Sequence, residues 1–166
     1  MPETFSEMKI TNSLFEAGLK CLTKCFLRSL GETGTGNAYA DWVRTQAESC
    51  RSAGVKGLMA GTAHDECIIG SPGTENWKTA KWRLAVDPVA RAQNLESSLH
   101  AVERVPSERR GQSGQITPIR FVFTNKLTRD DRLLLAFDAL VLSEILGRKV
   151  GLGKIIHGDD QATLKV

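Results

Sequence analysis

The spacing of apolar residues changes twice along the chain, and this restricts the fold more than any other feature of the sequence. Near the start, Phe15, Leu19, Leu22, Phe26 and Leu30 recur at helical intervals and form one stripe. Ser13 followed by Glu16 has the form of a capping box, and Gly31 stands where helices stop. After the connection Gly31–Gly36, Asn37 predicts the cap of a second helix that turns Tyr39, Val43, Ala47 and Cys50 inward and runs at least to Ala53. The middle then switches to a period of two. Lys81–Val86 is a predicted strand with Trp82, Leu84 and Val86 on one face, and Ser98–Val105 is a second. Ile119–Phe123 is a third, with Ile119, Phe121 and Phe123 opposite Arg120 and Val122. Helical spacing returns where Thr128 and Asp131 cap a helix that presents Leu134, Phe137, Val141 and Ile145 to a core and stops at Gly147. Val150–Ile156, the Gly158-Asp159 turn and Ala162–Val166 predict a β-hairpin. Helices, then strands, then a helix and a hairpin define a mixed α/β (α+β) class.

Composition sets the outer limits. A chain of 166 residues is the size of one domain, and 41% hydrophobic with 25% charged residues is ordinary for a globule. No apolar run reaches the ~20 residues of a spanning helix; the longest candidate, Leu133–Leu142, is broken by Asp138. A membrane partner is therefore not expected. Met1–Thr4 shows no secretory leader, and four cysteines in a chain this long read as reduced thiols, so a cytoplasmic location is expected. The net charge of +3 is unevenly placed. Between Arg104 and Arg132, seven basic residues face three acids, which is compatible with phosphate contacts, although a solvated loop and helix start is the favoured reading of this signal alone. Val166 falls inside the last predicted strand. The expectation is a single domain over 1–166, incomplete at its C-terminus, with an open sheet edge able to pair with a protein partner or a second copy.

Several motifs fail on spacing or context. Gly147–Lys154 resembles a phosphate loop, but Arg148 stands where the first glycine is required and Ile155 replaces the hydroxyl. Gly34-Thr-Gly36 follows a helix rather than a strand, so it reads as a connection. His157, Asp159 and Asp160 are compatible with metal ligation, as are His64, Asp65 and Glu66, and turn or loop roles explain both groups. Cys21 and Cys25 share a helix face, but a metal site needs about four ligands, and core packing is the better account of them.

Two longer stretches, Ile10–Cys21 and Thr128–Leu140, resemble the RecB-like nucleases, the branch of the PD-(D/E)XK superfamily that includes CRISPR-associated exonucleases. The order of elements is similar along nearly the whole chain. The resemblance implies a restriction-endonuclease-like mixed sheet flanked by helices, acting on DNA with a divalent metal, Mg²⁺ or Mn²⁺. In that family, carboxylates on two adjacent strands hold the metal, a lysine stands beside them, and the next helix carries a glutamine and a tyrosine. Carried over one position at a time, the first carboxylate falls at His100, the second at Arg120 and the lysine at Val122. The helix pair falls at Leu134 and Asp138. Arginine cannot ligate a metal, and one neutral imidazole holds Mg²⁺ poorly, so weak or absent cleavage is expected. Cys21 matches the N-terminal cysteine of the family's iron–sulfur cluster, and the C-terminal cysteine trio has no counterpart, which leaves the cluster incomplete. The expected function is a RecB-like nuclease module of DNA processing, with DNA as partner. The alternative is a non-catalytic module on the same fold that binds nucleic acid or protein.

Overall fold

The computed structural model describes residues 8–73, 76–79, 81–107 and 114–166. A short strand β1 (Ile10–Thr11) leads into α1 (Asn12–Lys20), α2 (Leu22–Ser29) and the long α3 (Ala38–Ala60). Strand β2 (Cys67–Ile69) and the short α4 (Asn76–Thr79) precede β3 (Leu84–Val86), β4 (Val89–Ala92), β5 (Leu95–Ser98), β6 (Ala101–Val105) and β7 (Gln115–Val122). Helix α5 (Arg129–Leu146) and the hairpin β8 (Lys154–His157) and β9 (Ala162–Lys165) follow. The mixed α/β class expected from the sequence is what the chain adopts.

Two sheets share the strands. The larger runs β2-β3-β6-β7-β8-β9 and the smaller β1-β5-β4. Within the larger sheet β6 is antiparallel to both β3 and β7, β2 runs parallel to β3, and β8 returns parallel to β7 after the α5 crossover. Strand β9 lies at one edge, where an open strand is expected.

Both faces of the larger sheet are covered. On one, Leu84, Val86, Ala101, Ile119 and Phe121 pack against Cys50, Val55, Leu58 and Met59 of α3. On the other, Ala85, Val102 and Ile116 meet Phe137, Val141 and Leu142 of α5. The far side of α5 is closed by Ala90 and Leu99, with Ile10, Phe15, Ala92 and Leu95 packed around them. Helix α5 is thus sandwiched between the two sheets. Thr128 and Asp131 form the expected reciprocal capping box, and Gly147 ends the helix in the left-handed region at φ 63°.

Four expectations need correction. The first helix is two helices. Its cap is Thr11, whose hydroxyl accepts from the Leu14 N–H, while Glu16 pairs with Lys20 instead of capping. The chain then breaks at an extended Cys21 and folds α2 back onto α1. Second, Tyr39 is 74% exposed and Ala47 is exposed as well; Val43 is only half-buried, and the α3 residues packed on the sheet core begin at Cys50. Third, Trp82 does not share a face with Leu84 and Val86. Regular strand begins at Leu84, and Trp82 turns to the α5 side, edge-on to Trp77, with its indole N–H donated to the Asn76 carbonyl. Fourth, the strand expected over Ser98–Val105 is divided between sheets. Asp87 adopts φ 53° next to the buried Pro88, and across from it the chain bends at Leu99-His100. The Leu99 N–H to Pro88 carbonyl and Asp87 N–H to His100 carbonyl bonds (2.9 and 3.1 Å) keep the bent ribbon continuous.

Helix α3 approaches the sheet closely at Gly54, where an added Cβ would stand 2.2 Å from the Phe121 ring. Gly57, one turn on, has nothing within 4 Å. Gly57→Ala is expected to stabilise the protein by about 0.5–1 kcal/mol through helix propensity. Gly54→Ala carries the same propensity gain but is expected to lose about 1–3 kcal/mol to overpacking. Urea unfolding of the two variants compares them, and equal effects would refute the close approach.

Candidate functional site

Three of the residues singled out from the sequence converge. Asp138 lies on the inner face of α5 with no exposed surface, and Arg120 of β7 reaches it from the larger sheet, itself 9% exposed. The guanidinium binds the carboxylate through two hydrogen bonds: Nε donates to Oδ2 at 2.5 Å and Nη2 to Oδ1 at 3.0 Å. A two-point charge-assisted pair of this kind is strong and directional. It explains why an aspartate tolerates the apolar side of a helix: its charge is neutralised and its lone pairs are used.

Two further side chains complete the group. The Ser97 hydroxyl of β5 donates to Asp138 Oδ1 at 2.5 Å, and Asn12 Nδ2, in the first residue of α1, donates to the same oxygen at 2.9 Å. Asn12 Oδ1 in turn accepts the Ser98 N–H at 2.6 Å. The cluster therefore ties β5, α1, α5 and β7 together. Asn12 and Ser97 were missed from sequence because they lie 126 and 41 positions from Asp138. A buried acid at Asp138 signalled that partners must exist, not which ones.

His100 sits at the ribbon bend. Its Nδ1 accepts the Phe121 N–H at 3.0 Å, and its ring lies parallel to the Phe121 ring. Burial first, then the positive charges of Arg120 and Arg51, push its pKa down to about 3, so it is neutral in the folded protein. Arg51 of α3 is held beside it by an ion pair with Asp87. His100 thus acts as a neutral acceptor that caps a strand N–H.

These residues do not fit the divalent metal that the resemblance implies. Both Asp138 oxygens are already bound by donors, the available His100 nitrogen is bound by an N–H, and Arg120 brings a fixed positive charge. Val122 stands at the position of the expected lysine. Among the described residues, no group of three or more His, Cys, Asp or Glu side chains could hold a metal ion. The thiols are dispersed as well. Cys21 is exposed at the α1–α2 break, with its pKa lowered by the N–H groups of Lys24 and Thr23; Cys25 Sγ donates to the Leu14 carbonyl; Cys50 and Cys67 border the α3 core, where burial raises their pKa. That arrangement does not fit an iron–sulfur cluster.

The other sequence candidates lie at element ends and turns. Gly147–Lys154 ends α5 and enters β8, where Lys154 pairs with Glu103 of β6. His157 ends β8, where its Nδ1 is buried with no hydrogen-bond partner among the described residues, and residues 158–161 form the β8–β9 turn, with the Asp159 N–H donated to Asn125. Glu66, beside His64 and Asp65 in a short 3₁₀ turn, pairs with Arg83 at 3.5 Å. Among the described residues the basic stretch is not one continuous surface stripe. Arg104 lies over the Trp82 ring and donates to the Trp77 carbonyl, Arg120 is buried, and Arg109 and Arg110 lie outside the described residues. Lys126, Arg129 and Arg132 remain as exposed cations.

No protein-family model and no curated protein matches the chain.

Removing one partner of a buried ion pair strands the other charge. Arg120→Met is therefore expected to lose about 3–5 kcal/mol. Arg120→Met with Asp138→Leu should recover most of that loss, because Asn12 and Ser97 still bond each other at 3.3 Å. Urea unfolding of both variants measures it, and a double variant no better than the single one would contradict this account.

The His100 shift has a defined pH signature. Unfolded chains take up a proton near the ordinary histidine pKa while the folded protein does not, so stability present above that pKa falls as pH drops toward about 3. The slope attributable to one proton is at most about 1.4 kcal/mol per pH unit. His100→Asn, which keeps an acceptor and cannot titrate, should show a shallower loss over that window in urea unfolding at a series of pH values. An unchanged slope would show that His100 titrates alike in both states.

Proposed function

We propose that the chain is a RecB-like nuclease-fold module of DNA processing whose metal-binding position has become an internal ion pair, so that it does not itself hydrolyse DNA. The architecture supports this reading: a mixed sheet flanked by helices, with an adjacent strand pair β6–β7 followed by α5, is the arrangement the resemblance leads one to expect. The observation that carries it is the Arg120–Asp138 pair. A guanidinium stands where a divalent cation would be needed, supplies the compensating charge to the carboxylate, and leaves no ligand position for a metal-bound water. Arg51 adds a second positive charge near His100.

Incubation of the purified protein with linear double-stranded and single-stranded DNA plus Mn²⁺ tests the proposal. The expected result is no cleavage above the protein-free control. Mn²⁺-dependent cutting that disappears in His100→Ala, a variant that removes no charge from the ion pair, would overturn it.

A further inference from the structure

A crease along the outer side of α5 stays open once the core and the ion-pair cluster are formed. After Gly147 the chain runs back along the helix, with Val150 beside Ser143 and Gly153 beside Leu135. Residues 149–153 thereby make the second wall of an apolar groove of about 490 Å³. The first wall is one face of α5, where Arg132, Ala136, Ala139 and Ser143 recur at spacings of four, three and four. Leu140, Leu152 and Val166 border it at 49, 47 and 45% exposure. The two walls touch at the floor. The Val150 N–H is donated to Ser143 Oγ at 2.9 Å, and a Cβ added at Gly153 would stand 2.6 Å from the Leu135 side chain.

Shape, hydrogen bonding and charge together select the occupant. Walls in contact at the floor form a narrow crease, which a hydrocarbon chain can enter and a helix ~10–12 Å across can only bridge. The lining is overwhelmingly apolar, and its one hydroxyl is already engaged, since Ser143 Oγ donates to the Ala139 carbonyl and accepts from Val150. An extended peptide laid there would bury N–H and C=O groups without partners, whereas an acyl chain has none to satisfy. Arg132 and Lys149 both line the groove, and among the described residues neither has an ion-pair or hydrogen-bond partner. No acidic side chain lines it, so the lining is net positive even with the main-chain carboxylate of Val166 counted. An apolar ligand with an anionic end meets all three conditions.

We propose that the crease binds a long-chain carboxylate, its hydrocarbon chain lying along α5 among Leu135, Leu140 and Leu152 and its carboxylate held at the rim by the cations Arg132 and Lys149. The volume is within the range of small-molecule sites, which are mostly apolar with a few polar groups that set orientation. None of these residues belongs to the Arg120–Asp138 cluster, so the site is independent of the nuclease reading and would persist if that reading failed.

Sodium dodecanoate below its micelle-forming concentration serves as the probe, titrated into the full chain by isothermal titration calorimetry. Saturable binding at one site per chain is expected, with octanoate at least about tenfold weaker because fewer methylenes are buried. Dodecyltrimethylammonium, of the same chain length and opposite charge, is expected to bind at least about tenfold more weakly at low salt, the difference shrinking at high salt. Ala136→Trp fills the crease from an exposed position and should weaken dodecanoate by about tenfold or more. Arg132→Ala combined with Lys149→Ala should erase the preference for carboxylate over ammonium, and thermal melts check that both variants fold. Absence of saturable binding, equal binding of the two amphiphiles, or undiminished binding in Ala136→Trp would overturn the proposal. So would self-association abolished by Leu152→Ser, or binding to phosphatidylglycerol vesicles without binding to dodecanoate.

Discussion

The buried pair between Arg120 and Asp138 is the interaction on which the arrangement of layers depends. An aspartate with no exposed surface on α5 cannot be left charged without partners, and neutralising it calls for more than one element. Arg120 comes from the larger sheet, Ser97 from the smaller one and Asn12 from the start of α1. Apolar packing around Phe137, Val141 and Leu142 is non-directional and would tolerate small sliding of α5 between its neighbours. The two-point guanidinium–carboxylate geometry does not. The cluster therefore fixes the position of α5 while the apolar contacts supply most of the burial.

A second polar junction lies where the ribbon passes from one sheet to the other. Asp87, in the left-handed region, gives its N–H to the His100 carbonyl and its carboxylate to Arg51, while His100 accepts the Phe121 N–H. The two junctions are linked through charge, since Arg120 and Arg51 both disfavour a proton on His100. The region that the resemblance marks as a metal centre is thus occupied by permanent cations and a neutral imidazole. Its chemistry is that of a structural joint, with Arg120, Asp138 and the His100 Nδ1 all engaged in internal hydrogen bonds.

What could be read from the residues alone was local. The Thr128–Asp131 box and Gly147 bound α5 because both act within a few residues of the helix ends. The alternation of Ile119 and Phe121 against Arg120 followed from the strand repeat and nothing else. The site was half legible: Asp138 on an apolar helix face and Arg120 in an apolar strand were each conspicuous as charges in the wrong surroundings. Their pairing, and the contributions of Asn12 and Ser97, were not legible, because polar satisfaction is settled by which distant segments meet. The spacing from Leu19 through Leu30 misled for a related reason. The periodicity is real, but an extended Cys21 interrupts the helix and turns the second half of the stripe outward.

By itself, then, the sequence determined the element types, the ends of α5, the β8–β9 hairpin and the two faces of β7, since each depends on backbone preference or repeat within one segment. Tertiary structure decided that the ribbon bends at Asp87 and His100, that Trp82 joins Trp77 on the α5 side, and that the basic residues between Arg104 and Arg132 scatter among core, ring contact and surface. Those outcomes depend on which buried groups must find partners across the layers, a condition imposed by burial and absent from any single stretch of chain.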